Sequence, residues 1–226
     1  MANYKIIVAL PAYNEEKYIA SIVGNAIQYA DKIFVVDDGS TDRTTDVAIL
    51  ARADVCRLPR NHGYGSAIRA ILDISRAETP SDVLVIMDAD NQHDATDIPK
   101  LVKAVEDGYD LVIGCRAGKD VPGYRRIGGT ILSVFTWLLS GVWVRDSQCG
   151  FRAYSKRAVG KIRPKENGMA VSSEIVALAS WEGLRIKEVP ISVRYSKDSS
   201  THNPIKQGFY TLWRIVVMIA GRRLGK

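Results

Sequence analysis

The segment DVLVIMDADNQH, residues 82–93, contains the pattern from which the fold of this chain can be predicted. Asp82 and the apolar run over 83–87 are followed at once by the triplet Asp88-Ala89-Asp90. A short apolar run bounded by polar residues predicts a fully buried strand. In open sheets of parallel strands, ligands bind at the carboxyl ends of the strands. We therefore expect both carboxylates of the triplet to face a ligand site.

Apolar runs of the same kind alternate with helical patterns along the first half of the chain. Strands are predicted at 5–10, where Pro11 stops the run, and at 32–36, 53–58, 82–87 and 110–114. A helix capped by Asn14 is predicted to carry Glu15 and Glu16 in its first turn and to continue to Ile27. Further helices are predicted at 41–51, 64–77 and 98–106. This alternation predicts an α/β fold with a Rossmann-like, mostly parallel sheet that has helices on both faces.

Polar clusters follow four of the predicted strands, at 11–14, 37–38, 88–90 and 114–116. Because the carboxyl ends of parallel strands meet at one edge of a sheet, we expect these clusters to form a single site. The second half of the chain is less regular. It predicts a loop-rich crossing over 118–129, apolar helices at 131–144 and 209–221, a helix at 169–181, a strand over 184–195 and a polar loop at 196–204.

The composition is that of a folded domain whose charge is unevenly divided. With 226 residues and 46% hydrophobic content, the chain is long enough for one domain with a full core. Residues 1–115 carry 11 basic and 18 acidic residues, whereas residues 116–226 carry 20 basic and 7 acidic. An acidic half suits a bound cation, and a basic half suits phosphates, an anionic membrane surface or nucleic acid.

The cysteines and the apolar segments bear on location. Cys56, Cys115 and Cys149 lie far apart, and an odd count fits no disulfide framework, so we expect reduced thiols in the cytoplasm. Residues 1–20 carry no signal-peptide pattern, and no stretch has the ~18–20 apolar residues that span a bilayer. The segments 131–144 and 209–221, the latter apolar apart from Arg214, are expected to be buried helices or helices on a membrane surface.

The Asp88-Ala89-Asp90 triplet has the chemistry of a divalent-cation site. Two carboxylates separated by one residue can converge on one cation, and Gln92 offers a neutral oxygen two residues further on. Mg²⁺ takes oxygen ligands and shares them with substrate phosphates, and a metal so placed stabilises a leaving diphosphate. An isolated triplet of this kind also occurs in solvated turns. The choice between a cation site and a solvated turn therefore depends on the other motifs of the sequence.

Two further segments fit a nucleotide site. In the tetrapeptide DDGS at 37–40, the carboxylates of Asp37 and Asp38 can accept hydrogen bonds from a base or a ribose. The alternative is that Asp38 or Ser40 caps the following helix. The segment NHGYGSA at 61–67 lacks the third glycine of a dinucleotide fingerprint. We interpret it as a tight turn that opens a helix, with His62 in a structural role.

These segments stand in the order seen in the family 2 glycosyltransferases of the GT-A fold, and the chain resembles that family. Within the family it is most similar to the dolichyl- and polyprenyl-phosphate sugar synthases, over about residues 5–195. The matching segments are PAYNE at 11–15, DDGSTD at 37–42, NHGYGSAIR at 61–69, DADNQH at 88–93, IGCR at 113–116, DSQCGFRAY at 146–154, SSE at 172–174 and LRIKEVPI at 184–191.

The resemblance implies that a nucleotide diphosphate sugar is the donor, with a UDP-sugar favoured and GDP-mannose as the second choice. The residues that would line the nucleotide pocket are Pro11, Tyr13, Asn14, Glu15, Asp37, Asp38 and Asp88. Among them, Asp38 is the first choice for contact with the base. The resemblance also implies that Asp88, Asp90 and Gln92 hold the donor diphosphate through Mg²⁺ or Mn²⁺.

The resemblance places arginines at the acceptor phosphate. Arg116 would meet phosphate, and either Arg125 or Arg126 would meet the acceptor; Asp90, Arg116 and Arg126 are the expected catalytic residues. A lipid phosphate oxygen is already anionic near neutral pH, so it needs bidentate arginine contacts rather than a general base. The loop over 194–203, with Arg194 and Lys197, is expected to close over the donor.

The implied acceptor is a dolichyl or polyprenyl phosphate held in a membrane. We expect a catalytic domain over 1–200 and a basic amphipathic helix over 201–226 that lies peripherally on the cytoplasmic face of the membrane. One alternative is a sugar or protein hydroxyl acceptor, with Asp146 or Glu174 as the base rather than as an ion-pair partner of a nearby arginine. The other is a non-enzymatic nucleotide- or nucleic-acid-binding module. No nucleic-acid-binding motif is found, so no nucleic-acid partner is expected.

Overall fold

The computed structural model of the chain describes residues 4–77, 81–116, 123–193 and 204–224. The strands are β1 (Ile6–Ala12), β2 (Lys32–Asp37), β3 (Asp54–Arg57), β4 (Val83–Ile86), β5 (Leu111–Arg116), β6 (Arg152–Ser155) and β7 (Ile186–Ile191). The helices are α1 (Ile19–Ala26), α2 (Thr44–Leu50), α3 (Tyr64–Ala77), α4 (Ile98–Glu106), α5 (Gly123–Ser140), α6 (Lys156–Lys161), α7 (Val171–Trp181) and α8 (Pro204–Leu224).

Within the described ranges the strands form one sheet in the order β3-β2-β1-β4-β6-β5-β7. All neighbouring strands run parallel except β6, which lies antiparallel between β4 and β5. β1 occupies the middle of the parallel part, where it pairs with β2 on one side and β4 on the other. The sequence prediction of a mostly parallel α/β sheet is confirmed.

Two hydrophobic cores hold the fold together. The main core contains the apolar side chains of β1, β2, β4 and β5, which are almost wholly excluded from water, with the inner faces of α1, α3 and α4 against them. Apolar residues at helical spacing, such as Ile68, Ile71 and Leu72 in α3, explain why these segments are helical and which face they bury. A smaller core of four buried residues joins α5, α7 and α8: Leu139, Ala170, Ala177 and Ile215.

Several predicted boundaries are wrong for identifiable reasons. Pro11 does not stop β1, which continues to Ala12. The carbonyl of Ala9 accepts from Met87 on the β4 side and that of Ala12 accepts from Asp38 on the β2 side. Successive residues of a strand direct their backbone polar groups to opposite sides, so the Pro11 nitrogen faces the β4 side, as Ala9 does. At the level of Pro11 strand β4 has already ended, so the missing N–H of proline removes no hydrogen bond from the sheet.

The helix after β1 also begins later than predicted. Asn14 has a positive φ of 56° and does not cap a helix, because α1 begins only at Ile19. Glu15 and Glu16 therefore lie in the connection before the helix, where their backbone N–H groups bind Thr44 and Asp42.

In the second half, the helix predicted at 131–144 is α5, which begins at Gly123 and ends at Ser140. β6 was not predicted at all. The helix around 209–221 is α8, and no helix in the described part of the chain is long and apolar enough to cross a membrane.

Candidate active site

Asp88 lies just beyond β4 and is held from three directions. One carboxylate oxygen accepts a hydrogen bond from the Tyr64 hydroxyl at 2.8 Å, and the other lies 3.4 Å from Nε2 of His93. A Cβ added to Gly150 would lie 2.1 Å from the Asp88 carboxylate, so the turn at 150 closes directly over it. Burial by itself would raise the pKa of Asp88, but the hydrogen bonds from His93 and Tyr64 and the charges of His93 and Arg116 hold it below its ordinary value.

Asp90 is held by hydrogen bonds from a neighbouring residue, Gln92. Its carboxylate accepts from the Gln92 backbone N–H at 3.1 Å and from the Gln92 side-chain amide at 2.6 Å. The turn between them uses Asn91 at a positive φ of 61°. Burial and then the neighbouring charge of Asp88 raise the pKa of Asp90 to about 6. This carboxyl is therefore one whose ionised form a bound cation would stabilise.

A third carboxyl, that of Glu15, belongs to the same group. Burial raises the pKa of Glu15 to about 8, and the charges of Asp90, Asp42 and Asp88 contribute to the increase. The connection after β1 thus contributes an acid to the edge at which β4 ends. In the described part of the chain, no three His, Cys, Asp or Glu side chains already surround a single metal position. Asp88, Asp90 and Gln92 bear oxygens of the kind that a divalent cation binds, and they stay the predicted metal residues.

The connection after β1 is tied to the turn after β2. The Asn14 N–H donates to the Ser40 hydroxyl at 2.9 Å, and the Asn14 side chain accepts from the Thr41 N–H at 2.8 Å. These bonds fix 11–15 next to 37–41. Of the predicted nucleotide residues here, Pro11 is buried in β1 and Tyr13 is 38% exposed, an aromatic ring that is open to a ligand.

Asp37 and Asp38 are both buried, with different partners. Asp37 accepts from the Ser40 N–H at 2.8 Å and from the Thr45 hydroxyl, so it shapes its own turn. Asp38 accepts from the N–H groups of His62 and Gly63 at 3.0 and 2.8 Å. Burial raises the pKa of Asp38. Neither Asp38 nor Ser40 caps α2, whose N-cap is Arg43 without a side-chain bond.

Arg116, at the end of β5, forms a bidentate ion pair with Asp146. Its guanidinium donates to the two carboxylate oxygens at 2.6 and 2.7 Å. The Asp146 N–H in turn donates to Glu188 at 3.0 Å. Asp146 is therefore an ion-pair partner, one of the two roles considered for it.

Glu174 serves a backbone segment rather than an arginine. Its carboxylate accepts from the N–H of Lys165 at 2.9 and 3.0 Å and from the N–H of Glu166 at 2.8 Å. Burial raises the pKa of Glu174. The expectation that it pairs with a nearby arginine is not met by these contacts, because the amides of 165–166 occupy the carboxylate.

The turn at 146–150 is held by a buried arginine. Arg152, in β6, is 2% exposed and donates to the carbonyls of Ser147, Cys149 and Ser172 at 2.7, 2.8 and 3.1 Å. These bonds fix the turn that precedes β6 and set Gly150 against Asp88. Gln148, on the same turn, donates to the Ser173 hydroxyl at 2.8 Å.

The remaining predicted phosphate residues are not all described. Arg125 and Arg126 lie in the first turn of α5, but their side chains are outside the described part of the structure. Arg194 and Lys197, with the predicted lid, lie outside the described residues. Sequence reasoning did not single out Tyr64 and His93, although each stands inside a motif that it quoted, NHGYG and DADNQH.

Large apolar side chains are exposed on α5, α8 and the turn after α5. We call this group the apolar face; α5 and α8 pack against each other. Its members are Ile127, Ile131, Val134, Trp137, Leu138, Trp143, Phe209, Tyr210, Trp213, Val216 and Val217. Soluble monomeric proteins rarely expose large apolar patches, and such patches usually mark a site of interaction with a protein, a ligand or a membrane.

The predicted GT-A fold is confirmed by its similarity to a solved structure. The glucosyl-3-phosphoglycerate synthase of Mycobacterium tuberculosis is similar with a TM-score of 0.76 and 24% identity, over 98% of this chain and 80% of its own. One solved structure of that enzyme contains Mn²⁺, UDP and glucosyl-3-phosphoglycerate.

The chain belongs to glycosyl transferase family 2, which it matches over residues 7–163, and it is a glycosyltransferase. It is 32% identical to the UDP-N-acetylglucosamine–dolichyl-phosphate N-acetylglucosaminyltransferase of Methanococcus voltae, over 99% of this chain and 100% of that protein. It is 31% identical to the dolichyl-phosphate hexose transferase of Haloferax volcanii, over 89% of this chain and 88% of that protein. The predicted family and enzyme class are confirmed, and the non-enzymatic alternative is wrong.

Proposed function

We propose that this glycosyltransferase moves a sugar from a UDP-sugar to a dolichyl or polyprenyl phosphate, with inversion at the anomeric carbon and with Mg²⁺ or Mn²⁺ bound. The observation that carries the proposal is the group of carboxyls from Glu15, Asp88 and Asp90 at the carboxyl edge of the sheet. The raised pKa values of Glu15 and Asp90 reflect burial and mutual repulsion that a cation–diphosphate complex would relieve.

In this proposal the donor lies along the edge formed by β1, β2 and β4. Asp38 and Tyr13 are the candidates for the base and ribose, with Pro11 and Asn14 forming the wall. Asp37 is the least suited of the predicted nucleotide residues, because its carboxylate shapes the 37–40 turn. UDP is favoured because the relative from Methanococcus voltae is named for a UDP-sugar donor.

Asp90 and Gln92 would hold the metal, which stabilises the negative charge on the leaving diphosphate. Asp88 has the different task of orientation, because Tyr64, His93 and Gly150 fix its carboxylate. It would accept a hydrogen bond from the donor, while Asp90, whose side-chain partner is Gln92, would face the metal together with that residue.

The acceptor phosphate supplies the nucleophile. One of its oxygens attacks the anomeric carbon from the face opposite to the bond that breaks, and UDP leaves with the electron pair of that bond. No side chain has to remove a proton, because the attacking oxygen is already anionic. Both bases considered for a hydroxyl acceptor are occupied, Asp146 by Arg116 and Glu174 by backbone amides.

Cations must hold two anions together during this transfer. Arg116 is the described candidate, since it lies close enough to lower the pKa of Asp88. Arg125 or Arg126, Arg194 and Lys197 complete the set in this proposal. The apolar face would rest on the membrane surface that holds the lipid acceptor, with 1–200 as the catalytic domain and 201–226 as a peripheral element on the cytoplasmic side.

The test is a panel of UDP- and GDP-sugars offered with Mn²⁺ in the presence and absence of polyprenyl phosphate. The expected product is a lipid-linked sugar that forms only when both substrates are present. Asp90→Ala should abolish turnover and keep the thermal unfolding profile. The matched control is Asp54→Ala, which removes an exposed acid on β3. Full activity of Asp90→Ala, or of the wild type in metal-free buffer, would refute the metal role.

A further inference from the structure

Arg214 is the one charged residue in the apolar segment 209–221, and the proposed function gives it no task. Its guanidinium donates to both carboxylate oxygens of Glu166, at 3.0 and 2.7 Å. The Glu166 side chain is only 9% exposed, whereas that of Arg214 is 39% exposed. A bidentate arginine–carboxylate pair with one nearly buried partner is a directional contact rather than a loose surface pair. It fixes α8 to the segment that contains Glu166.

That segment, residues 165–167, packs tightly on the beginning of α3. The Gly65 N–H donates to the Asn167 carbonyl at 2.7 Å, and the Asn167 side chain accepts from the Ser66 hydroxyl at 3.1 Å. A Cβ added to Gly65 would lie 2.2 Å from the Glu166 carbonyl oxygen. There is no space between the two backbones, so a displacement of 165–167 moves the beginning of α3.

The beginning of α3 in turn carries groups that hold both of the site's key carboxylates. The N–H groups of His62 and Gly63 donate to Asp38, and the Tyr64 hydroxyl donates to Asp88. Three consecutive residues therefore set the position of the proposed base contact and of the carboxylate next to the diphosphate.

α8 is attached to the rest of the chain mainly through α5. Ile215 is buried in the four-residue second core, and Met218 and Ile219 pack against that core, which is separate from the main core under the sheet. The ion pair of Arg214 with Glu166 is therefore a second attachment of α8, outside its apolar contacts, and the outer side of α8 belongs to the apolar face.

We propose that Arg214 and Glu166 are positioning residues that couple the placement of α8 to donor binding, through the contacts of 165–167 with the beginning of α3. The inference rests on the proposed function, since it assumes that α8 faces a membrane and that the site binds a nucleotide donor. In it, the position of α8 affects the affinity for that donor. Coupling of this kind is reciprocal: if docking of α8 strengthens UDP binding, bound UDP strengthens docking to the same extent.

The first experiment measures UDP binding in the presence of Mn²⁺ by calorimetry on the full chain. Arg214→Gln should raise the dissociation constant about fivefold, at the lower end of couplings between linked sites. Arg157→Gln is the matched control, because it breaks another arginine–carboxylate pair, with Asp110, whose carboxylate is also 9% exposed. The control should bind UDP as the wild type does.

The reversed pair, Glu166→Arg with Arg214→Glu, separates positioning from general damage. The reversed pair should recover most of the UDP affinity that is lost in Arg214→Gln. In steady-state kinetics, Arg214→Gln should raise the donor KM more than it lowers kcat. If Arg214→Gln does not fold, Arg214→Lys takes its place, with a smaller loss expected. An unchanged UDP dissociation constant in a folded variant overturns the coupling. Failure of the wild type to bind any nucleotide with Mn²⁺ counts against the proposed function instead.

The second experiment adds vesicles of phosphatidylcholine with phosphatidylglycerol and no acceptor lipid. Wild-type chain bound to vesicles should bind UDP several-fold more tightly than free chain, and Arg214→Gln should lose this gain. Equal affinity for free chain and chain that has co-sedimented with vesicles overturns the link to docking. Absence of co-sedimentation counts against the membrane docking in the proposed function.

Discussion

The substitution Gly150→Ala tests whether the turn before β6 and the Asp88 carboxylate form one rigid unit. The added methyl group would lie 2.1 Å from one carboxylate oxygen and 2.3 Å from the other, whereas an ordinary contact is at least 3.4 Å. The carboxylate must therefore move by more than 1 Å. Such a shift breaks its hydrogen bond to Tyr64, which is 2.8 Å long in the native site.

A hydrogen bond to a charged group contributes about 1.5–3 kcal/mol. For a chain of this size, that loss corresponds to a fall in melting temperature of roughly 3–12 °C. Because Asp88 lies beside the proposed diphosphate position, affinity for UDP with Mn²⁺ should fall together with stability. The assays are thermal unfolding with and without UDP and Mn²⁺, followed by calorimetric titration.

Gly160→Ala is the matched control for this substitution. Gly160 lies exposed in α6, and an added Cβ there would have no neighbour within 4 Å. Alanine in a helix is favoured over glycine by roughly 0.5–1 kcal/mol, so the control should be slightly more stable and bind UDP normally. If Gly150→Ala melts and binds like the wild type, the packing of this turn on Asp88 does not hold the site.

Two further predictions concern the same carboxylates. Tyr64→Phe removes only the hydroxyl that donates to Asp88, so UDP affinity should fall about tenfold, the equivalent of ~1.4 kcal/mol. The control is Tyr29→Phe, in the turn between α1 and β2. Equal UDP affinities of the two variants would contradict the role of the Tyr64 hydroxyl. Glu15 has a folded-state pKa of about 8 against an ordinary 4.5, so the folded chain binds more protons than the unfolded chain between these values. Stability of the metal-free chain should therefore fall as pH rises from about 5 to 8, and Glu15→Gln should flatten that fall in melting curves; parallel curves would show that Glu15 is not the cause.

The regular helices were predictable because a single periodicity defines them. α3 and α4 have the bounds read from the sequence, Tyr64–Ala77 and Ile98–Glu106, since apolar residues recur at helical spacing and the following polar residues end them. β6 was missed because the strand has only four residues and begins with a buried arginine, Arg152. The hydrogen bonds from its guanidinium to three backbone carbonyls depend on the tertiary structure, and no local pattern in the sequence predicts them.

The candidate site shows the same division. The acids at the strand ends could be located from the sequence, because chain order and strand polarity bring 11–15, 37–38 and 88–90 to one edge. The partners of each acid could not. Asp88 is bound by Tyr64, 24 residues earlier in the chain, and faces Gly150, far later, and such contacts depend on how the elements pack.

The reversed direction of β6 has a consequence for how this enzyme can diversify. Its neighbours in the sheet present to the substrate the residues that come after them, whereas β6 presents the residues that come before it, 146–150. A turn from the basic half of the chain thus reaches the acids of the other half without any lengthening of the loops that we propose to bind the nucleotide. Exchange of residues 146–150 between relatives should therefore alter which acceptor or sugar is used, while the half proposed to bind the nucleotide stays unchanged.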